Sequence, residues 1–209
     1  MICLDPGHHR PGSGCSCNGL DEATYVLDLA RRISAELSCR GVSSCLTRTD
    51  GAYVSFTERA AIARRNRAKG TIVLHVNAAS KRSTIVTPAG VRVPVSVTDP
   101  LPHGPMAFHL GVNAPAMEAA STVIRGLGRP GEYVDVFGNL HPMQHQVWVA
   151  ASGGWREHAW ACMFRHDEPV ILVECGYASH VGEAAWMLSP EGVGTLSAAI
   201  ADAAVGMAG

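Results

Sequence analysis

Three times this chain drives an apolar, β-forming run into one ionisable side chain. Ile2-Cys3-Leu4 enters Asp5-Pro6-Gly7 and delivers His8. Thr71-Ile72-Val73-Leu74 delivers His75, and Val170-Ile171-Leu172-Val173 delivers Glu174. Runs this apolar read as strands buried on both faces, and Asp-Pro-Gly marks the turn that ends the first. Such strands belong to parallel sheets with a helical layer on either side. The segments between them supply the helices. Val26, Leu29, Ile33 and Leu37 recur at helical spacing from about Asp21 to Arg40. Asp28, Arg31, Arg32 and Glu36 take the other side, and Gly41 is the stop. Strands alternating with amphipathic helices give an α/β fold. The expectation is one domain, 1–209, with a mostly parallel twisted sheet and helices on both faces.

The remaining elements follow from local patterns. Val42 to Arg48 reads as a short strand. Ser55-Phe56-Thr57-Glu58 has the capping-box pattern and opens a helix to about Ala68, closed by Gly70. Its Arg59, Arg64, Arg65 and Arg67 are read as a solvated face, with a patch for an acidic substrate as the alternative. Ser80 to Pro105, rich in Val, Thr and Pro, is expected as a hairpin or irregular surface insertion. A strand at about Met106 to Gly111 follows. Asn113-Ala114-Pro115 starts a third helix to about Leu127, with Met117, Ala120, Val123, Ile124 and Leu127 facing inward. Gly128 to Gly154 is read as a long connection, and Trp155 to Phe164 as weakly helical. A short helix at Glu183 to Leu188 and a longer one opened by Ser189-Pro190-Glu191 complete the chain.

In open α/β sheets, chemistry gathers at the carboxyl ends of the strands. His8, His75 and Glu174 therefore belong to one site, and Glu22, in the first turn of its helix, can point back over the strand ends. His8, Glu22 and His75 together offer two imidazoles and a carboxylate, a donor set that a catalytic zinc takes while keeping a position open. The spacing is long and irregular, so it carries less information than HExxH. Each residue also has an ordinary reading. His8 can hydrogen-bond backbone in its turn, His75 can be a satisfied core histidine, and Glu22 can be a first-turn carboxylate favoured by the helix dipole. Glu174 is harder to dismiss, because a carboxylate closing an apolar run needs a partner and no arginine stands nearby in sequence.

Composition excludes several classes. A formal net charge of −1 provides no field for nucleic acid. No apolar stretch approaches the ~20 residues of a membrane helix, so no membrane insertion is expected. The seven cysteines are odd in number and scattered. Cys3, Cys45 and Cys175 lie in or beside apolar runs, as buried thiols do. Cys15-Ser16-Cys17 falls in a loop beside the candidate site, where a disulfide and a metal contact both remain open. The thiols are expected to be mostly reduced. No signal peptide is visible, so synthesis in a cytosol is expected, with action on the substrate after release.

These residues resemble a known family. Ile-x-Leu-Asp-Pro-Gly-His at 2–8, Asn18-Gly19-Leu20-Asp21-Glu22 and Leu46-Thr47-Arg48 with Asp50 match its motifs in order. So do Ser55-Phe56-Thr57-Glu58-Arg59 with Ala63 and Asn66, His75-Val76-Asn77-Ala78, and Val173-Glu174-Cys175-Gly176-Tyr177. Together they resemble the zinc-dependent N-acetylmuramoyl-L-alanine amidases of the amidase-3 type, over nearly the whole chain. The resemblance implies a phosphorylase/hydrolase-like fold and one zinc per chain on His8, Glu22 and His75. It also implies Glu174 as catalytic carboxylate and bacterial peptidoglycan as substrate.

Departures from the family pattern carry expectations of their own. Where the family continues with glycines, His9 and Arg10 stand at the mouth of the site. His9 is an alternative ligand, but a substrate-contact or surface role is preferred. His180 stands where Asn or Asp is common, either touching substrate or as a loop histidine without a role. Asn77 joins the substrate-contact candidates. His141 and His145, four apart, form a second metal site only if helical, and Pro142 opposes that. A monomeric catalytic domain without a separate wall-binding module suits a phage endolysin. A sporulation or wall-remodelling amidase is the runner-up. A zinc carboxypeptidase or deacetylase, and a catalytically dead wall-binding protein, are the readings from other classes.

Overall fold

A computed structural model describes residues 1–87, 90–110, 113–129, 131–134, 140–142, 147–150 and 162–209. In chain order the elements are β1 (Ile2–Pro6), β2 (Ser16–Cys17), β3 (Leu20–Asp21), α1 (Glu22–Cys39), β4 (Ser44–Leu46), α2 (Phe56–Arg65) and β5 (Gly70–Asn77). Next come β6 (Ser80–Val86), β7 (Arg92–Thr98), β8 (Met106–Leu110), α3 (Ala114–Leu127), β9 (Glu132–Val134), β10 (Leu140–Pro142) and β11 (Val147–Ala150). A 3₁₀ turn at Met163–Arg165, β12 (Val170–Tyr177), α4 (Val181–Leu188) and α5 (Pro190–Ala208) end the chain.

The central sheet runs β11-β8-β12-β5-β1-β4. β4, β1, β5 and β12 are mutually parallel; β8 pairs antiparallel with β12, and β11 lies parallel to β8. The sheet is thus mixed but mostly parallel. Ile2, Leu4, Ile72, Leu74, Ile171 and Val173 point to the face covered by α1, α3 and α5, where the main core sits. Val73, Val170 and Leu172 point to the other face and pack on Cys162 and Met163. Side chains alternate across each strand, so an unbroken apolar run fills both layers.

Capping follows the sequence. Asp21 accepts the Thr24 N–H at 3.0 Å to start α1, and Asn113 accepts that of Ala116 at 3.1 Å to start α3. α2 starts at the Ser55 cap but stops at Arg65, short of Ala68. Arg67 turns left-handed (φ 54°) and the Ala68 N–H returns to the Ala63 carbonyl at 3.0 Å. This is a helix stop made without glycine, and Gly70 instead opens β5.

Three expectations need correction. Arg59 is not on a solvated face; it is 4% exposed and pairs with buried Asp5. Met117 is 45% exposed, since Ala116 takes the inward place in the first turn of α3, while Ala120, Val123, Ile124 and Leu127 pack inward as expected. The Gly128–Gly154 connection contains β9, β10 and β11, and β11 extends the central sheet. His141 lies in the strand β10; His145, and most of Trp155–Phe164, lie outside the described residues. The 80–105 insertion is a hairpin, β6 against β7, that leaves the sheet just beyond the carboxyl end of β5. Among the described residues, no helix is long and apolar enough to cross a membrane.

This topology positions a crevice. From β1 the chain crosses through α1 to β4 on one side, then through α2 to β5 on the other. The order reverses between β1 and β5, and a crevice at such a switch point is where open α/β sheets bind ligands.

Candidate active site

Each wall of that crevice contributes one side chain. β1 ends in the Pro6-Gly7 turn, and His8 follows with left-handed backbone (φ 60°). A side chain at Gly7 would put its Cβ 2.5 Å from His75 Cε1 and 2.6 Å from Nε2, so only glycine lets the His75 ring lie across the turn. His75 sits near the carboxyl end of β5. Glu22 is the first residue of α1, directly after the capping aspartate.

The three side chains converge. Glu22 Oε1 lies 2.9 Å from His75 Nδ1 and 3.1 Å from His8 Nε2. The same oxygen accepts the Val76 N–H at 3.0 Å, and Oε2 accepts that of Cys15 at 2.8 Å. The two imidazoles meet edge to face, with centroids 4.9 Å apart. Burial raises the tendency of Glu22 to keep its proton, but hydrogen bonds from both imidazoles and their charge overcome it and hold the carboxylate well below its usual range. Burial disfavours a charge on His75, but Glu22 and Glu174 outweigh it and raise its proton affinity.

Glu174 stands beside His75 on the neighbouring strand, its Cα partner in the parallel register. Its Oε2 is buried and has no hydrogen-bond partner among the described residues. Burial pushes its pKa up to about 7, the charge of His75 opposing and that of Glu22 assisting. A buried carboxylate without an arginine is costly unless something polar enters the site.

One donor atom from each of His8, Glu22 and His75 lies within 4.8 Å of the others. Two imidazole nitrogens and one carboxylate oxygen at that spacing, beside an unpartnered carboxylate oxygen, fit a divalent metal of the zinc type with a position left open.

The other candidates are half-buried or exposed. His9 packs edge-on against exposed Tyr53, with centroids 5.5 Å apart, and Arg10 is exposed. Asn77 turns its Oδ1 back to the Ala78 N–H at 2.8 Å. His180 caps α4 by accepting the Glu183 N–H at 3.1 Å, and its ring lies 4.9 Å from that of His103. Cys15 and Cys17 are free thiols. Cys15 borders the site through its backbone bond to Glu22 and its Sγ, 3.6 Å from the Val76 carbonyl.

Sequence reasoning missed two groups here. Arg48 and Arg59 lie buried beneath the His8 turn. For Arg59 a signal was present, since it shares a helix face with Ala63, four residues on, and Ala63 is fully buried. Glu183 is the other: it is 2% exposed, and its Oε2 accepts the N–H groups of Gly104 and Tyr177, both at 2.8 Å. It ties the segment before β8 to the end of β12.

Comparisons with known proteins bear on the family. Residues 2–205 match the Amidase_3 family model, described as N-acetylmuramoyl-L-alanine amidase. The N-acetylmuramoyl-L-alanine amidase LytC of Bacillus subtilis (strain 168) is 35% identical over 77 residues, which is 37% of this chain and 16% of that protein. The sporulation-specific N-acetylmuramoyl-L-alanine amidase of the same organism is 37% identical over 78 residues, 36% of this chain and 31% of the relative. The matched stretches thus span well under half of these two relatives. In three dimensions the chain is similar to the N-acetylmuramyl-L-alanine amidase Ami1 of Mycobacterium smegmatis, with a TM-score of 0.74 and 20% identity over 99% of this chain and 95% of that one. A family model that takes in all but a few residues settles the membership: the chain belongs to the Amidase_3 family of N-acetylmuramoyl-L-alanine amidases.

Proposed function

We propose that this chain is a zinc-dependent peptidoglycan amidase that cleaves the bond between the lactyl group of N-acetylmuramic acid and L-alanine of the stem peptide. The observation that carries the reading is the convergence of His8, Glu22 and His75 beside the unpartnered Glu174. The family membership names the bond.

His8, Glu22 and His75 would hold one zinc per chain. When bound, it supplies a Lewis acid's charge to the scissile carbonyl oxygen. Glu174 takes a proton from the attacking water as the carbon–oxygen bond forms. It then returns that proton to the departing nitrogen as the carbon–nitrogen bond breaks, leaving a carboxylic acid and the free amine of alanine. A carboxylate whose affinity for the proton lies near neutrality can both accept and give it. His9, Arg10, Asn77 and His180 are proposed to contact substrate from the rim. Residues 1–209 are proposed to act as one catalytic domain and as a monomer.

The role proposed with this chemistry is that of a phage endolysin, made in the host cytosol and acting once it reaches the wall. The sporulation-specific relative favours a second role, trimming of the wall by a bacterial amidase.

The test is turbidity loss of purified peptidoglycan, with chelator and after zinc add-back. Lysis that stops with chelator and returns with zinc supports the proposal. No lysis under any metal condition, in protein shown to bind zinc, would move the assignment to another amide or to a binding role. Walls from growing cells and from spores then separate the two roles: a lysin clears the former, and a sporulation amidase acts on the latter.

A further inference from the structure

Beneath the His8 turn, the five N–H donors of Arg48 each meet a backbone carbonyl. Nε donates to Pro6 at 2.9 Å, and Nη2 donates to Gly7 at 2.8 Å and Ala23 at 2.7 Å. Nη1 donates to His9 at 3.3 Å and Asp50 at 3.0 Å. Arg59 approaches the same turn from α2. It donates to the carbonyl of His8, to that of Pro6 at 2.7 Å, to that of Val54 at 3.0 Å and to Asp5 Oδ1 at 2.5 Å. The carbonyls of residues 6, 7, 8 and 9 are therefore all capped by two buried guanidinium groups.

Two physical facts give this arrangement a purpose. His8 is a non-glycine residue in left-handed backbone, a conformation that persists only where its surroundings over-determine it. Ala23 directly follows Glu22, so Arg48 joins the turn that carries His8 to the first helical turn that carries Glu22.

We propose that Arg48, assisted by Arg59, is a positioning residue for the metal centre, setting the separation of His8 and Glu22 by capping the carbonyls on both sides. The inference rests on the reading of His8 and Glu22 as metal ligands. A planar five-donor fork is needed, and lysine keeps the charge but cannot serve five acceptors at once.

The experiment is zinc affinity by competition with a chromophoric chelator, on protein shown by circular dichroism to be folded. The set is wild type, R48K, R59K, H8A and the surface control R40K, whose arginine pairs with exposed Asp202. R48K and R59K are expected to lose about ten- to a hundred-fold in affinity, as changes behind metal ligands do. R40K should match wild type. The visible spectrum of the cobalt(II)-substituted protein should shift in R48K, since a displaced ligand changes the field at the ion. R59K removes the partner of buried Asp5 and can fail to fold. Arg48 donates to carbonyls alone, so R48K decides the matter, with R48Q as a neutral second variant. If folded R48K or R48Q binds zinc within two-fold of wild type while H8A does not, the positioning role is overturned. If H8A itself keeps wild-type affinity, it is the ligand assignment that fails, and the two failures are told apart.

Discussion

At the residue scale, the site depends on a few groups whose chemistry is set by what touches them. In the proposed reaction Glu174 carries the proton, and His8, Glu22 and His75 would hold the metal. Glu174→Gln should therefore lower kcat by about 10²–10⁴-fold with zinc still bound one per chain, checked by kinetics beside elemental analysis. Gly7 acts through what it lacks. In Gly7→Ala the new Cβ would stand 2.5 Å from His75 Cε1 and 2.8 Å from the Leu74 carbonyl. Overpacking of this kind costs about 1–3 kcal/mol, and here the ring that must move belongs to a proposed ligand. Chemical denaturation and zinc titration should both register the change; a G7A variant with unaltered zinc affinity would contradict the placement of His75.

At the element scale, strands bring residues together that are far apart in sequence. Glu168, in the lead-in to β12, accepts from Thr71 Oγ1 at the start of β5 and lies 2.7 Å from His166 Nδ1. Burial raises its proton affinity, but those two hydrogen bonds and the charge of His166 lower it further, and the net shift is downward. A carboxyl depressed in the folded state contributes stability above its unfolded value, near 4.5, and that stability is lost as the pH falls through the lower folded value. Glu168→Gln should thus be less stable than wild type at pH 7 by about 1–3 kcal/mol. The gap should close as the pH falls below the unfolded value and through the lower folded one, as followed by urea unfolding across an acid series. Elements also show what could be read beforehand. The strand leading into His8 and the strands carrying His75 and Glu174 were evident because an apolar run followed by one ionisable side chain is a local feature, although β5 runs on to Asn77 and β12 to Tyr177. The α1 and α3 boundaries were evident because their caps are local. Arg59 was misjudged because its neighbours Arg64 and Arg65 are indeed exposed, and only the packing of α2 on the sheet separates them. β11 was missed because its pairing with β8 is non-local, and the reversed direction of both strands had no marker in the chain.

At the scale of the whole molecule, one sheet with a helical layer on its main face explains why the site is a single unit. β1, β5 and β12 lie side by side and bury their apolar residues in a common core, so His8, His75 and Glu174 are held by one packed unit. Heating the protein should give one cooperative transition. On the proposed assignment zinc binds the folded arrangement alone, so it should raise that transition by mass action, by about 2.7 kcal/mol at a hundred times its dissociation constant. Chelator should reverse the gain, and a calorimetric scan with and without zinc checks both.

The central claim concerns a bond, and the most direct test is the chemistry of what is released from the wall. Purified peptidoglycan would be digested by the zinc-loaded protein and the soluble products resolved by mass spectrometry with end-group labelling. The account predicts new free α-amino groups on L-alanine, matched by intact glycan carrying free lactyl carboxylates, with none of this from Glu174→Gln. New reducing sugar ends, or release of D-alanine in place of the stem peptide, would contradict it.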